Sequence, residues 1–106
     1  MKYIGNAFSL NMLSSFPAEL EIDEVSPKEA AVFAREATSV VGHADTAAVF
    51  TAVLGTPVAV NRATLTLDED DTLLVGQYSG PRLPEGATVL PEGASVRWLM
   101  VSGIPY

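Results

Sequence analysis

The stretch Val40-Val41-Gly42-His43-Ala44-Asp45-Thr46 lies near the middle of the 106-residue chain, and the rest can be read outward from it. His43 is the only histidine. Gly42 stands directly before it, and a candidate helix start, Asp45 or Thr46, follows. Ala47 to Leu54 is almost entirely apolar, which predicts a buried helix that stops at Gly55. An imidazole is the one side chain whose ordinary pKa lies near neutrality. A helix start supplies unpaired backbone N–H groups and a positive dipole end, which suit a phosphate. Glycine lets a ligand approach the backbone closely. The residues alone also allow a plainer role, in which His43 merely caps a turn.

Upstream, Lys2 to Phe8 reads as a strand, apolar on both sides apart from Asn6 and therefore internal to a sheet. Ser9 caps a short helical turn over Leu10 to Ser15, ended by Pro17. Ala18 to Val25 alternates, with Leu20 and Ile22 opposite Glu19, Glu21 and Asp23, as in a half-exposed strand near a sheet edge. Ser26-Pro27-Lys28-Glu29 is a capping box with proline at the first helical position. It predicts a helix to about Thr38 whose apolar face is Ala30, Phe33, Ala34 and Ala37.

Downstream, Val58 to Leu67 and Thr72 to Tyr78 read as two strands of a hairpin joined by Asp68-Glu69-Asp70-Asp71. That acidic run lacks the glycine and distal glutamate of a calcium loop, so a solvated turn is expected. Ser79 to Ser95, broken by Gly80, Pro81, Pro84, Gly86, Pro91 and Gly93, reads as a loop. Val96 to Val101 is the last strand, with Val96, Trp98 and Met100 on one face and Trp98 and Met100 expected in the core. The pattern is that of a single small α/β domain with a mixed sheet of about five strands flanked by helices.

Composition narrows the classes of function. The formal net charge of −7 argues against binding to long nucleic acid, which rests on many Lys and Arg contacts to phosphate. It does not exclude a small anion held by a locally basic pocket. Such a pocket must draw on Lys2, Lys28, Arg35, Arg62, Arg82 and Arg97, the six cationic side chains, and a dimer would double whichever it uses. No apolar run reaches the roughly 18–20 residues that span a bilayer, so no membrane partner is expected. The absence of cysteine excludes disulfides and thiolate metal sites. Residues 1–6 lack the charged and apolar regions of a signal peptide. A reducing cytoplasm is expected from these features, that of a host cell if the chain is viral.

Four motifs carry a resemblance. Asn6-Ala7-Phe8-Ser9-Leu10-Asn11-Met12-Leu13 is similar to the opening of the viral ring nucleases, the type III anti-CRISPR family that degrades cyclic tetra-adenylate. Val41-Gly42-His43 with Thr46 resembles that family's Gly-His segment, and Gly55-Thr56 with Asn61-Arg62 resembles the next. Arg82-Leu83-Pro84-Glu85-Gly86 resembles its Arg-Leu-x-Glu-Gly loop. The matches fall in family order over most of residues 3–86. One departure is expected: the family carries a helix between that loop and the last strand, and Leu90-Pro91-Glu92-Gly93 is too short and broken for one.

The resemblance implies metal-independent cleavage of a ring phosphodiester, without a cofactor. An adenosine 2′-OH attacks its own 3′ phosphate, leaving linear di-adenylates that end in a 2′,3′-cyclic phosphate. It casts His43 as the acid that protonates the leaving 5′ oxygen and Arg82 as the cation on the phosphorane. Glu85 would pair with the imidazolium. Asn6, Ser9, Leu10, Asn11, Gly42 and Arg62 are then candidates for holding the ring. Plainer roles remain open. Asn6 and Asn11 also fit backbone-satisfying positions at a strand end, and Arg62 a surface ion pair. A twofold ring and a shortage of cations point to a homodimer. Two other functions stay in view: a binding module that holds a cyclic oligonucleotide uncut, and an interaction protein of the same fold.

Overall fold

The computed structural model of the protein describes residues 1–104. Its elements in chain order are β1 (Lys2–Gly5), a 3-10 turn (Leu10–Met12), β2 (Glu19–Val25), α1 (Pro27–Ala34), β3 (Thr38–Ser39), α2 (Ala44–Leu54), β4 (Thr72–Ser79) and β5 (Ser95–Ile104). The strands form one mixed sheet in the order β2-β5-β4-β1-β3. β1 pairs in parallel with β3 and β4. β5 runs antiparallel to both β4 and β2, so four strands share one direction and β5 opposes them. The α/β class, the five strands and the edge position of β2 agree with the sequence reading.

Local chemistry sets the helix ends. At α1 the Ser26 hydroxyl accepts the Glu29 N–H at 3.1 Å and the Glu29 carboxylate accepts the Ser26 N–H at 3.4 Å, completing the capping box. The helix stops at Ala34, short of the expected Thr38. The Glu36 and Ala37 N–H groups donate to the Phe33 and Ala34 carbonyls, a tight turn that lays Thr38–Ser39 beside Tyr3–Ile4. α2 begins at Ala44 rather than at Asp45 or Thr46, with His43 as its N-cap residue. It ends at Gly55, whose left-handed φ of 67° closes the last turn through a bond from its N–H to the Thr51 carbonyl.

The expected hairpin does not form. Residues 58–67 make no strand; within them only Leu67 bridges, to Leu13. The neighbours of β4 are β1 and β5, both already in place. The segment instead runs along the free edge of β3, held by side chains. The Ser39 hydroxyl donates to the Ala59 carbonyl at 2.6 Å, and the Asn61 amide donates to the Ser39 carbonyl at 2.7 Å. The Asn61 N–H reaches the Val41 carbonyl at 2.8 Å. The segment then brings Leu65 and Leu67 onto the far face of the sheet. β3 thus takes the place of the expected strand. Two other elements are shorter than read: β1 ends at Gly5, and the turn after Ser9 is a single 3-10 turn.

The sheet carries a core on each face. Ile4, Leu74 and Trp98 pack under Ala30 and Ala34 of α1 and Ala47, Phe50 and Leu54 of α2. Trp98 is fully buried and Met100 packs against the same cluster, as expected. Phe50 meets Trp98 edge-on, with ring centroids 4.9 Å apart. Gly76 makes room for that pair: a Cβ there would lie 2.6 Å from both rings. On the other face Leu73, Val75 and Val101 pack under Leu65 and Leu67, with Phe8 and Met12 alongside. No helix among the described residues is long and apolar enough to cross a membrane.

Candidate functional site at the carboxyl ends of the parallel strands

Ligands of open α/β sheets gather where parallel strands end, because the loops that leave those ends carry the variable side chains. Three parallel neighbours, β1, β3 and β4, deliver the sequence candidates to this end. Asn6 follows β1 directly, and Ser9, Leu10 and Asn11 come next. Gly42 and His43 follow β3, between it and α2. Arg82 and Glu85 lie on the loop that leaves β4.

His43 is exposed and extended, with φ −125° and ψ 130°, and its side chain makes no capping bond to α2. The first N–H groups of the helix therefore have no side-chain acceptor from their own N-cap residue. Arg62 lies close by: its Cβ and Cγ would sit 3.6 Å from a Cβ built on Gly42. The Asn61 bonds to Val41 and Ser39 set that approach, and the arginine stem lies at van der Waals distance from the turn before His43. Arg62 and Arg82 are exposed and form no ion pair among the described residues.

The loop between β4 and β5 closes at its root. The Tyr78 hydroxyl donates to the Pro81 carbonyl. Gly80, at φ 141°, lies so close to Ala94 that a Cβ would come within 2.7 Å of the alanine Cβ. Beyond the root, Asp45, Arg82, Leu83, Pro84 and Glu85 line an open depression at the start of α2. The Gly86 N–H donates to Asp45 Oδ1 at 3.1 Å. Asp45 is thus no helix cap but an anchor for this loop, a role the sequence reading missed. No helix forms between residues 80 and 94, in keeping with the broken run Leu90-Pro91-Glu92-Gly93.

The candidates fall into four groups. Gly42, His43 and Arg62 lie together. Arg82 and Glu85 share the depression with Asp45, two residues past His43, yet His43 and Glu85 form no hydrogen bond or ion pair with each other. Ser9 and Asn11 bond locally, the Ser9 hydroxyl accepting the Asn11 N–H at 3.2 Å, and Leu10 is 65% exposed beside them. Asn6 is exposed and lines a groove on the far face of the sheet with Phe8, Ile22, Gln77 and Leu99. Among the described residues, no three His, Asp or Glu side chains converge in a way that could hold a metal ion.

A model of the STIV B116-like family matches residues 2–93, from β1 through the Arg82–Gly86 loop. The chain belongs to the STIV B116-like family. The match takes in every candidate site residue and stops short of β5. Among solved structures the chain is similar to B116 of Sulfolobus turreted icosahedral virus, with a TM-score of 0.82 and 23% identity over 95% of this chain and 97% of that one. At that identity the likeness speaks to fold. No curated protein matches the chain. Membership of the B116-like family is consistent with the resemblance to viral ring nucleases drawn from the four motifs.

Proposed function

We propose that this protein is a metal-independent ring nuclease that cleaves cyclic tetra-adenylate to linear di-adenylates with 2′,3′-cyclic phosphate ends, and so switches off type III CRISPR signalling in the cytoplasm. The reading is supported by one observation above the rest. His43, Arg62 and the Arg82–Glu85 pair come from three separate segments, and all lie around the start of α2 with no ion pair among them.

In this mechanism the unpartnered N–H groups at the start of α2, Arg62 and Arg82 draw the phosphates. The adenosine 2′-OH gives its proton to water as its oxygen attacks its own 3′ phosphorus, and the P–O5′ bond breaks opposite it. Arg82 offsets the charge that develops on the phosphorane. His43 gives its proton to the departing 5′ oxygen, and Glu85 holds the imidazolium until it is neutral again. Ser9 positions the attacking hydroxyl or the phosphate, and Asn6, Leu10 and Asn11 contact the ring.

A homodimer, with the ring across its twofold axis facing two copies of His43, completes the proposal. The alternative is a module that binds a cyclic oligonucleotide without cutting it, and the unmade bond between His43 and Glu85 favours it. The test is incubation with cyclic tri-, tetra- and hexa-adenylate in chelator, with light scattering on the same sample. Linear products from the four-membered ring and the mass of two chains are expected. Intact rings bound tightly leave the binding module ahead, and a one-chain mass that ligand does not change rules out the dimer.

A further inference from the structure

The loop that carries Arg82 and Glu85 has little to hold it. It joins β4 to β5, and its root is closed by Tyr78 on Pro81 and by Gly80 against Ala94. Beyond the root its backbone bonds are internal: the Ala87 N–H donates to the Pro84 carbonyl, and the Ala94 N–H to the Pro91 carbonyl. Arg82, Pro84, Glu85, Gly86, Thr88 and Val89 are exposed and Leu83 and Leu90 are half-buried, so no fully buried side chain pins this stretch. Among the described residues, one hydrogen bond ties residues 82–93 to a part of the protein outside the β4–β5 connection. It runs from the Gly86 N–H to Asp45 Oδ1, at 3.1 Å.

The two ends of that bond are informative. Gly86 directly follows Glu85, and Asp45 lies two residues past His43 in the first turn of α2. An acid in a first turn is favoured by the helix dipole alone. Here its oxygen also turns outward to a backbone donor 41 residues away in sequence. An untethered loop must give up backbone freedom each time it docks, at roughly 1–2 kcal/mol for each residue it orders.

We infer that Asp45 is a positioning residue, the tether that holds the Arg82–Gly86 loop against the start of α2 and so keeps Glu85 within reach of His43. It touches neither the ring nor the reacting phosphate. This inference rests on the ring-nuclease reading for its effect on chemistry, but the tether is measurable without it.

The experiment compares wild type, Asp45→Ala and Asp45→Asn by two readouts. The first is exchange of the Gly86 amide in ligand-free protein, followed by NMR. The second is single-turnover cleavage of labelled cyclic tetra-adenylate at saturating protein. Asp45→Ala raises Gly86 exchange and lowers the cleavage rate, each by about tenfold, the scale of one hydrogen bond to a charged acceptor. Asp45→Asn restores both, because its amide oxygen accepts the same bond. Gly86 exchange unchanged in Asp45→Ala overturns the tether. A cleavage rate as low in Asp45→Asn as in Asp45→Ala overturns it too, since the charge and not the acceptor would then matter. If wild type leaves the ring intact, the ring-nuclease reading fails, and Gly86 exchange alone decides the tether.

Discussion

The two ends of β1, β3 and β4 differ in how their cations are partnered, although Arg97 of β5, opposite Gln77, pairs with Glu24 at the carboxyl end of β2 at 2.8 Å. At the amino ends, the Met1 ammonium meets the Asp71 carboxylate at 3.2 Å, and Lys2 reaches Glu36 at 2.6 Å. At the carboxyl ends, Arg62 and Arg82 form no ion pair among the described residues, although the chain carries thirteen acids. A chain with a net charge of −7 has partners to spare for its cations. Leaving two arginines open beside an unbonded histidine keeps that end available for an anion from outside. The amino end instead uses its charges to hold the chain together.

Asp71 shows the structural use most clearly. Its Oδ2 accepts the Asp68 N–H at 2.9 Å, and this bond is the main reason its carboxyl is held below the usual range. Burial works against the shift, and the Met1 ammonium adds to it. Glu36 is lowered too, first by its hydrogen bond from Lys2 and then by the lysine charge, but it is fully exposed.

The contrast can be broken from either end. The largest expected effect is at His43. His43→Ala cuts the single-turnover rate by about 10²–10⁴-fold, the usual contribution of a general acid, and leaves ring affinity nearly unchanged. An equal loss of affinity, read by titration, would make His43 a binding group instead. Arg82→Ala comes next. It impairs binding and cleavage together, at about 2–4 kcal/mol of transition-state stabilisation, by analogy with losing one oxyanion donor. Unchanged single-turnover kinetics would remove Arg82 from the site.

At the amino end the effects are on folding. Asp71→Ala should cost about 2 kcal/mol near neutral pH, through a lost charged hydrogen bond and an ion pair. The folded carboxyl titrates lower than the unfolded one, so its contribution is present above the unfolded value, near pH 4, and fades as pH falls through the folded value. Urea melts from pH 7 to pH 2 should therefore show the gap between wild type and Asp71→Ala closing on acidification. A constant gap contradicts the assignment. Glu36→Gln is the smallest change. An exposed pair is screened by water, so the urea midpoint should not move measurably.

What the sequence made legible follows from where the deciding contacts lie. The Ser26–Glu29 box, the apolar run of α2 and the stop at Gly55 are local, and all three were readable. Trp98 and Met100 declared their face by alternation. β3 did not, because two residues carry no period and Thr38–Ser39 become a strand only through distant pairing with Tyr3 and Ile4. Residues 58–67 misled for the opposite reason. Their apolar positions are real burial sites, Val58 under the helices and Leu65 and Leu67 on the far face, but the expected partner, β4, already lies between β1 and β5. At the candidate site, the lone histidine and the Arg82–Gly86 motif stood out at once. The approach of Arg62 to Gly42 depends on the path of residues 59–61 along β3, and Asp45 finds Gly86 only through the fold.

The central claim is that the open charges at the carboxyl ends cut a ring phosphodiester. Its most direct test is mass spectrometry of labelled cyclic tetra-adenylate after incubation with the wild-type protein in excess chelator. The account predicts linear di-adenylates carrying a 2′,3′-cyclic phosphate. A ring recovered intact from a sample shown to bind it would contradict the claim.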